Sequence, residues 1–272
     1  MPLSTLCESF RSLALQTHQL MGKARTVDHQ PLEETFTDIN ILELKTRHST
    51  EIHSRLFSKH EEGKNGADWE WWLTDSKKSV WLGLRVQAKV LQLKSDTFPH
   101  LHYKSGKSKT YQSAKLKKEC AKEGLIPLYA LYVYQDLISP MGPLMCRSFA
   151  HAPELYGCSL ITLSQVETLQ VNSKTDRLSV MSKALPWHCL VCCSGFGGYD
   201  LPTRAWRLLQ AELGVDAAPK SKRKKVQSKE GAFIGPRTHP PEYVLDILAD
   251  RPIDLSPTHA RGVLVIQGRE DG

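Results

Sequence analysis

The chain has 272 residues, 40% of them apolar and 24% charged, with a formal net charge of +7. That balance suits a globular fold with a real core and excludes a disordered or fibrous chain; no apolar run approaches the roughly 18 residues of a membrane span. Seven cysteines, unevenly spaced, fit a reducing compartment better than a disulfide framework, so a cytoplasmic protein with no membrane partner is expected.

The first segment, "MPLSTLCESFRSLALQTHQLM", lacks the basic start of a signal peptide and is interrupted by Glu8, Arg11 and Gln16. It predicts an amphipathic helix with Ser4 as its N-cap. A second helix is predicted in "QPLEETFTDINILELKTRH". Pro31 suits its first turn, and Glu33 and Glu34 oppose its dipole. Leu32, Phe36, Ile39 and Leu42 offer it an apolar face. Three strands follow, "EIHSRLFSK", "ADWEWWLT" and "SVWLGLRVQAKVLQL", the last two joined by the short turn "DSKK". A lysine-rich loop at 94–109 leads into a helix, "TYQSAKLKKECAKEG", closed by Gly124. "LIPLYALYVY" then predicts a strand buried on both faces. Helix, three strands, helix and strand make an α/β fold, a mixed central sheet flanked by helices.

Beyond residue 135 the pattern is looser. "SLITLSQVETLQ", "LPTRAWRLLQAELG" and "PPEYVLDILAD" predict helices, "HCLVCC" a strand end or turn, and "RGVLVIQG" a last strand added to the sheet. Residues 216–232 have the composition of a solvated linker, and "KSKRKKVQSK" at 220–229 carries six positive charges and no negative one. The expected organisation is an N-terminal helix at 1–30, a core at 31–135 and an extension of the same domain at 136–272.

The chemistry concentrates on the second and third strands. In "GADWEWW" the side chains of Asp68, Glu70 and Trp72 share one face, and in "VQAK" those of Gln87 and Lys89 share one face. A hairpin pairing brings Asp68 to Gln87 and Lys89 at one end of the sheet. An acid, a second oxygen donor and an amine then converge, the equipment for metal-assisted phosphodiester hydrolysis. Lys104, Lys107, Lys109 and Lys115 stand in a stretch with no acid between Asp96 and Glu119, a patch suited to phosphates.

The element order, with "GAD" on one strand and "QAK" on the next, resembles the PD-(D/E)XK nuclease superfamily, in the style of Mrr-like restriction endonucleases that carry Gln in the third motif position. The wider pattern "EETFTDINILELK … GADWEWW … VQAK" is also similar to an uncharacterised bacterial family of hypothetical proteins. The superfamily resemblance covers residues 31–134 and implies a restriction endonuclease-like αβββαβ core. It further implies a Mg²⁺ (or Mn²⁺) ion held by Asp68, Gln87, the Ala88 carbonyl and a helix glutamate, for which Glu34 is the choice. Lys89 is implied to position the attacking water, with Glu70 as a ligand or a support. DNA is the implied substrate, in restriction or phage defence, and a homodimer stays open. Ala67 stands where the superfamily often has Pro, and Gln87 replaces an acid.

Two other readings compete. A catalytically silent module of the same fold would grip nucleic acid through its lysines, and Gln87 favours it. Alternatively, His188, Cys189, Cys192 and Cys193, with Cys146, His151 and Cys158 upstream, suggest a zinc or protein-interaction module. Only Cys189 and Cys192 form a CxxC pair, whereas structural zinc sites bring two pairs. "GFGG" at 195–198 reads as a turn.

Overall fold

The computed structural model describes residues 5–57, 68–105, 109–136, 152–192, 200–213, 234–253 and 260–269. The first helix, α1 (Leu6–Thr26), is capped by Thr5 and not by Ser4, which lies outside the described residues. The Thr5 hydroxyl accepts from the Glu8 amide at 3.2 Å, and the Glu8 carboxylate accepts from the Thr5 amide at 2.8 Å. This reciprocal bonding needs a Thr three residues before a Glu, which Thr5 satisfies and Ser4 does not. The buried stripe of α1 runs through Leu6, Phe10, Leu13, Ala14, Met21 and Ala24.

In α2 (Glu33–Arg47) the buried face is Phe36, Thr37, Asn40, Ile41 and Leu44, while Leu32, Ile39 and Leu42 are exposed. The apolar stripe expected from the sequence is therefore correct only at Phe36. Polar partners set the phase of this helix. The hydroxyls of Thr37 and Tyr132 are bonded at 2.7 Å, and Asn40 reaches the Thr17 hydroxyl and the Cys158 sulfur, each at 3.5 Å. Pro31 stands just ahead of the helix, whose N-cap is Leu32.

The strands are β1 (Ile52–Leu56), β2 (Trp69–Thr74), β3 (Trp81–Val90), β4 (Lys104–Ser105), β5 (Thr110–Tyr111), β6 (Ile126–Tyr132), β7 (Cys158–Thr162), β8 (Leu185–Pro186) and β9 (Gly262–Gln267). The remaining helices are α3 (Gln112–Glu123), α4 (Leu163–Val171), α5 (Arg177–Met181), α6 (Cys189–Cys192), α7 (Leu201–Leu213) and α8 (Glu242–Leu248). Seven strands form one mixed sheet in the order β1-β9-β2-β3-β6-β7-β8, and β4 and β5 form a separate hairpin. The β2–β3 pair is antiparallel and β3–β6 is parallel, the latter connected through α3. The fold is α/β, with helices on both faces of the mixed sheet.

Packing follows from the alternation along the strands. On one face Trp71 meets Trp187, which stacks on Phe10 and donates to the Phe10 carbonyl, so α1, α2 and α7 cover that side. The other face carries Glu70, Arg85 and Tyr129 and lies under α3, α4 and α8. All of β2 is buried, so its one carboxylate, Glu70, has no open solvent side to escape to.

The last strand, β9, lies between β1 and β2, parallel to β2 and antiparallel to β1. Gly262 allows this insertion, because a Cβ there would stand 2.5 Å from the Trp69 ring. Segment 159–170, expected as a single helix, instead divides between β7 and α4. Its apolar "CSLIT" fills a buried position beside β6, and Thr162 with Gln165 then caps α4. "CLVC" forms the short α6 and neither a strand end nor a turn.

Two polar ties reach across the layers. The Ser9 hydroxyl, the His48 ring and the Glu51 carboxylate form a buried chain at 2.7 and 2.8 Å that joins α1 to the start of β1. A Cys7–Cys192 disulfide links α1 to α6, where the sequence favours free thiols. No described helix is long and apolar enough to cross a membrane. The basic run at 220–229, together with Gly66, Ala67, Lys107, Cys146, His151, Cys193 and 195–198, lies outside the described residues.

Candidate active site

Asp68 sits at the entry to β2, and its position in the ladder is fixed by its amide, which donates to the Val86 carbonyl at 3.1 Å. The register that pairs Trp69 with Val86 sets Asp68 across from Gln87. Gln87 and Lys89 alternate on the same side of β3, so the three side chains share one face at one end of the sheet. The Asp68 Oδ2 accepts from Gln87 Nε2 at 2.5 Å and from the Ala88 amide at 2.8 Å. The Gln87 amide nitrogen also lies 3.4 Å from the Ala88 carbonyl, and its oxygen accepts from Gln112 Nε2, at the start of α3, at 2.8 Å.

Lys89 is 4% exposed, and its ammonium stands 3.5 Å from Glu33. Glu33 opens α2, so the helix start delivers a carboxylate to the end of β3. Glu34, the sequence choice, points elsewhere: its nearest cation is Arg261 at 4.0 Å, and Arg261 also bonds Asp38 at 2.9 Å. Asp68 is half-buried, and its carboxyl is pushed up from 3.8 to about 7. Desolvation is the main cause and the Glu33 charge adds to it. Lys89, the Ala88 amide and Arg261 pull the other way. A cavity of about 290 Å³ opens beside Glu33, lined also by Gln30, Glu34, Val90 and His100.

Glu70 lies one register step inward and belongs to a different network. It is wholly buried, pairs with the equally buried Arg85 at 2.7 Å, and accepts from Trp72 Nε1 at 2.7 Å and from the Tyr243 hydroxyl. Arg85 also bonds Glu123 at the end of α3 at 2.7 Å. Burial alone would lower Arg85, yet Glu70 and Glu123 raise it above its ordinary value. This arrangement accounts for an acid among tryptophans: Glu70 is the counter-ion of a buried guanidinium, and one of the indoles is its hydrogen-bond donor.

Of the sequence candidates, then, the structure brings together Asp68, Gln87, Ala88 and Lys89 and leaves Glu34 and Glu70 in other contacts. Glu33, Gln112 and Arg85 are the additions. Arg85 was legible in principle, since "RVQAK" alternates Arg85, Gln87 and Lys89 on one face. Gln112 carried no sequence signal. Among the lysines, Lys104 and Lys109 are exposed on the β4–β5 hairpin, with Lys104 4.6 Å over the Tyr111 ring, and Lys115 is half-buried on α3. Tyr111 precedes Gln112, so this hairpin abuts the Gln87 cluster.

The oxygens near Asp68 that suit a hard cation such as Mg²⁺ or Mn²⁺ are the Glu33 carboxylate and the Ala88 carbonyl, whereas Gln87 presents its amide nitrogen and keeps its oxygen on Gln112. Among the described residues no three His, Cys, Asp or Glu side chains form a group suited to a metal ion. A cation at Asp68 therefore depends on the Gln87 oxygen and the Ala88 carbonyl. At the C-terminal cysteines, Cys192 is bonded to Cys7 and Cys189 is a buried free thiol.

A family model described as "Family of unknown function (DUF6615)" matches residues 6–272, and the chain belongs to that family. No curated protein matches it.

Proposed function

We propose that this member of DUF6615 is a divalent-metal-dependent nuclease of the PD-(D/E)XK type, hydrolysing DNA phosphodiester bonds. The observation that carries the reading is the convergence of Asp68, Gln87, Ala88 and Lys89 at one end of β2 and β3, with Glu33 arriving from α2. The αβββαβ succession supports it, since β2 and β3 are antiparallel and β3 and β6 are parallel across α3.

Asp68, Gln87, the Ala88 carbonyl and Glu33 would hold the cation. When bound, Mg²⁺ or Mn²⁺ supplies charge for the scissile phosphate and acidifies a water. Lys89 donates hydrogen bonds to the attacking water and holds it in line, and Glu33 keeps the ammonium aimed into the site. Burial around Gln87 and Lys89 strengthens these interactions by excluding bulk water. Exposed Lys104 and Lys109 lead a phosphate backbone along the hairpin to Gln112 and the site. The setting we propose is cytoplasmic defence against foreign DNA, where reducing conditions would keep Cys7 and Cys192 as thiols.

Plasmid nicking in Mg²⁺ tests the reading, comparing wild type with Asp68→Ala and Lys89→Ala. The expected result is nicking by wild type alone, abolished by chelation. Equal cleavage by all three proteins removes the assignment. One observation favours a second reading, a silent DNA-binding module: Gln87 turns its amide nitrogen, not its oxygen, toward Asp68. Salt-sensitive DNA retention without turnover would establish that reading instead.

A further inference from the structure

The Gln87 side chain is 1% exposed, and both ends of its amide are engaged. Its nitrogen donates to Asp68 Oδ2 and approaches the Ala88 carbonyl, while its oxygen accepts from Gln112 Nε2. This polarity is self-consistent, because Asp68 Oδ2 also accepts from the Ala88 amide, a main-chain carbonyl only accepts, and Gln112 presents a donor. It also opposes cation binding: the one Gln87 atom able to ligate a hard cation faces away from Asp68 and is held by α3.

We propose that Gln112 is a positioning residue that sets the amide orientation of Gln87, the two amides forming a relay with two positions. In the first, seen here, Gln112 donates, and Gln87 turns its nitrogen to Asp68. In the second, both amides rotate by half a turn about their terminal bonds. Gln87 then donates to the Gln112 oxygen and turns its own oxygen toward Asp68 and the Ala88 carbonyl. The bond between the two glutamines survives with reversed direction, so the positions differ mainly in what faces Asp68. With a bare carboxylate there, the nitrogen-inward position is favoured. A divalent cation favours the oxygen-inward one, and a ligand that prefers one of two states shifts the balance toward it.

Gln112 opens α3 directly after the β4–β5 hairpin that carries Lys104 and Lys109. The inference rests on the nuclease reading for the identity of the cation but not for the existence of the two positions.

The test is Gln112→Glu. A carboxylate at that position accepts and cannot donate, so it competes with Asp68 for the Gln87 nitrogen and removes the bond that holds the nitrogen-inward position. An acid in the first turn is compatible with the helix dipole, so α3 should be preserved. Overhauser contacts are read in wild type and Gln112→Glu, and Mn²⁺ binding in those two, Gln87→Leu, the Gln87→Leu/Gln112→Glu double variant and Asp68→Ala. With Mg²⁺ bound, nuclear Overhauser contacts of the Gln87 side-chain amide protons are expected to move from the Ala88 amide to the side chain at 112, and to do so at lower Mg²⁺ in Gln112→Glu than in wild type. Mn²⁺ binding, read by electron paramagnetic resonance, is expected to tighten about tenfold in Gln112→Glu. That gain should vanish in the Gln87→Leu background.

A gain that persists without Gln87 is the added charge acting directly, and it overturns the relay. Unchanged Overhauser contacts in Gln112→Glu overturn it as well. Mn²⁺ binding that is equal in wild type and Asp68→Ala would instead sink the nuclease reading, while moved contacts would leave the relay standing.

Discussion

Asp68→Asn should stabilise the protein near pH 8 and leave it unchanged near pH 4. In the folded chain the carboxyl is raised from 3.8 to about 7 by desolvation, with Glu33 adding to the effect. A raised carboxyl keeps its proton in the folded state after the unfolded chain has released it. Its contribution to stability is therefore full below about pH 4, declines as pH rises toward 7, and is flat beyond. Roughly three pKa units at about 1.4 kcal/mol each give an upper bound of about 4 kcal/mol. Asp68 is half-buried, so solvent reduces the expected effect to about 2 kcal/mol. Asparagine keeps an oxygen for the Gln87 and Ala88 donors and cannot ionise. Urea denaturation of both proteins at several pH values checks this, because the difference between them cancels the other titrating groups. A difference that stays near zero from pH 4 to 8, or an Asn variant less stable at pH 8, would refute the electrostatic account.

Three further predictions follow from separate parts of the structure. Arg85→Met strips the counter-ion from the wholly buried Glu70 and should cost about 3–5 kcal/mol in urea denaturation, much of it recovered when Glu70→Gln is added. Thr5→Ala removes the hydroxyl that accepts from the Glu8 amide, and a loss of about 1 kcal/mol should appear in the same assay. Lys104→Ala and Lys109→Ala should each lower the slope of log affinity against log salt for duplex DNA by about one, without changing the fold.

The parts legible in the sequence are those governed by short-range periodicity. The alternation in "GADWEWW" and "VQAK" gave the facing of Asp68, Gln87 and Lys89, because a two-residue period and a short hairpin leave little freedom in register. The phase of α2 was not legible in this way. Its sequence holds two candidate stripes, and buried partners for Thr37 and Asn40 decide between them through contacts with residues far along the chain. The same ambiguity hid the choice between Glu33 and Glu34, adjacent acids that one step of helix rotation exchanges. The place of β9 was likewise hidden. "RGVLVIQG" announces a strand, but a slot between β1 and β2 depends on pairing across nearly the whole chain and on Gly262 fitting against Trp69. Glu70 misled for a different reason. Strand alternation places it beside Asp68, and only the partner strand reveals that Arg85 consumes its charge.

The proposed nuclease places Asp68 in a hydrolytic site and not in the scaffold. Asp68→Asn separates the two, since it is expected to be at least as stable as wild type at pH 8. The decisive measurement is single-turnover cleavage of a DNA duplex in Mg²⁺ by this variant at that pH. Cleavage slowed about a hundredfold or more in a fully folded protein is the predicted result. Cleavage at the wild-type rate would contradict it.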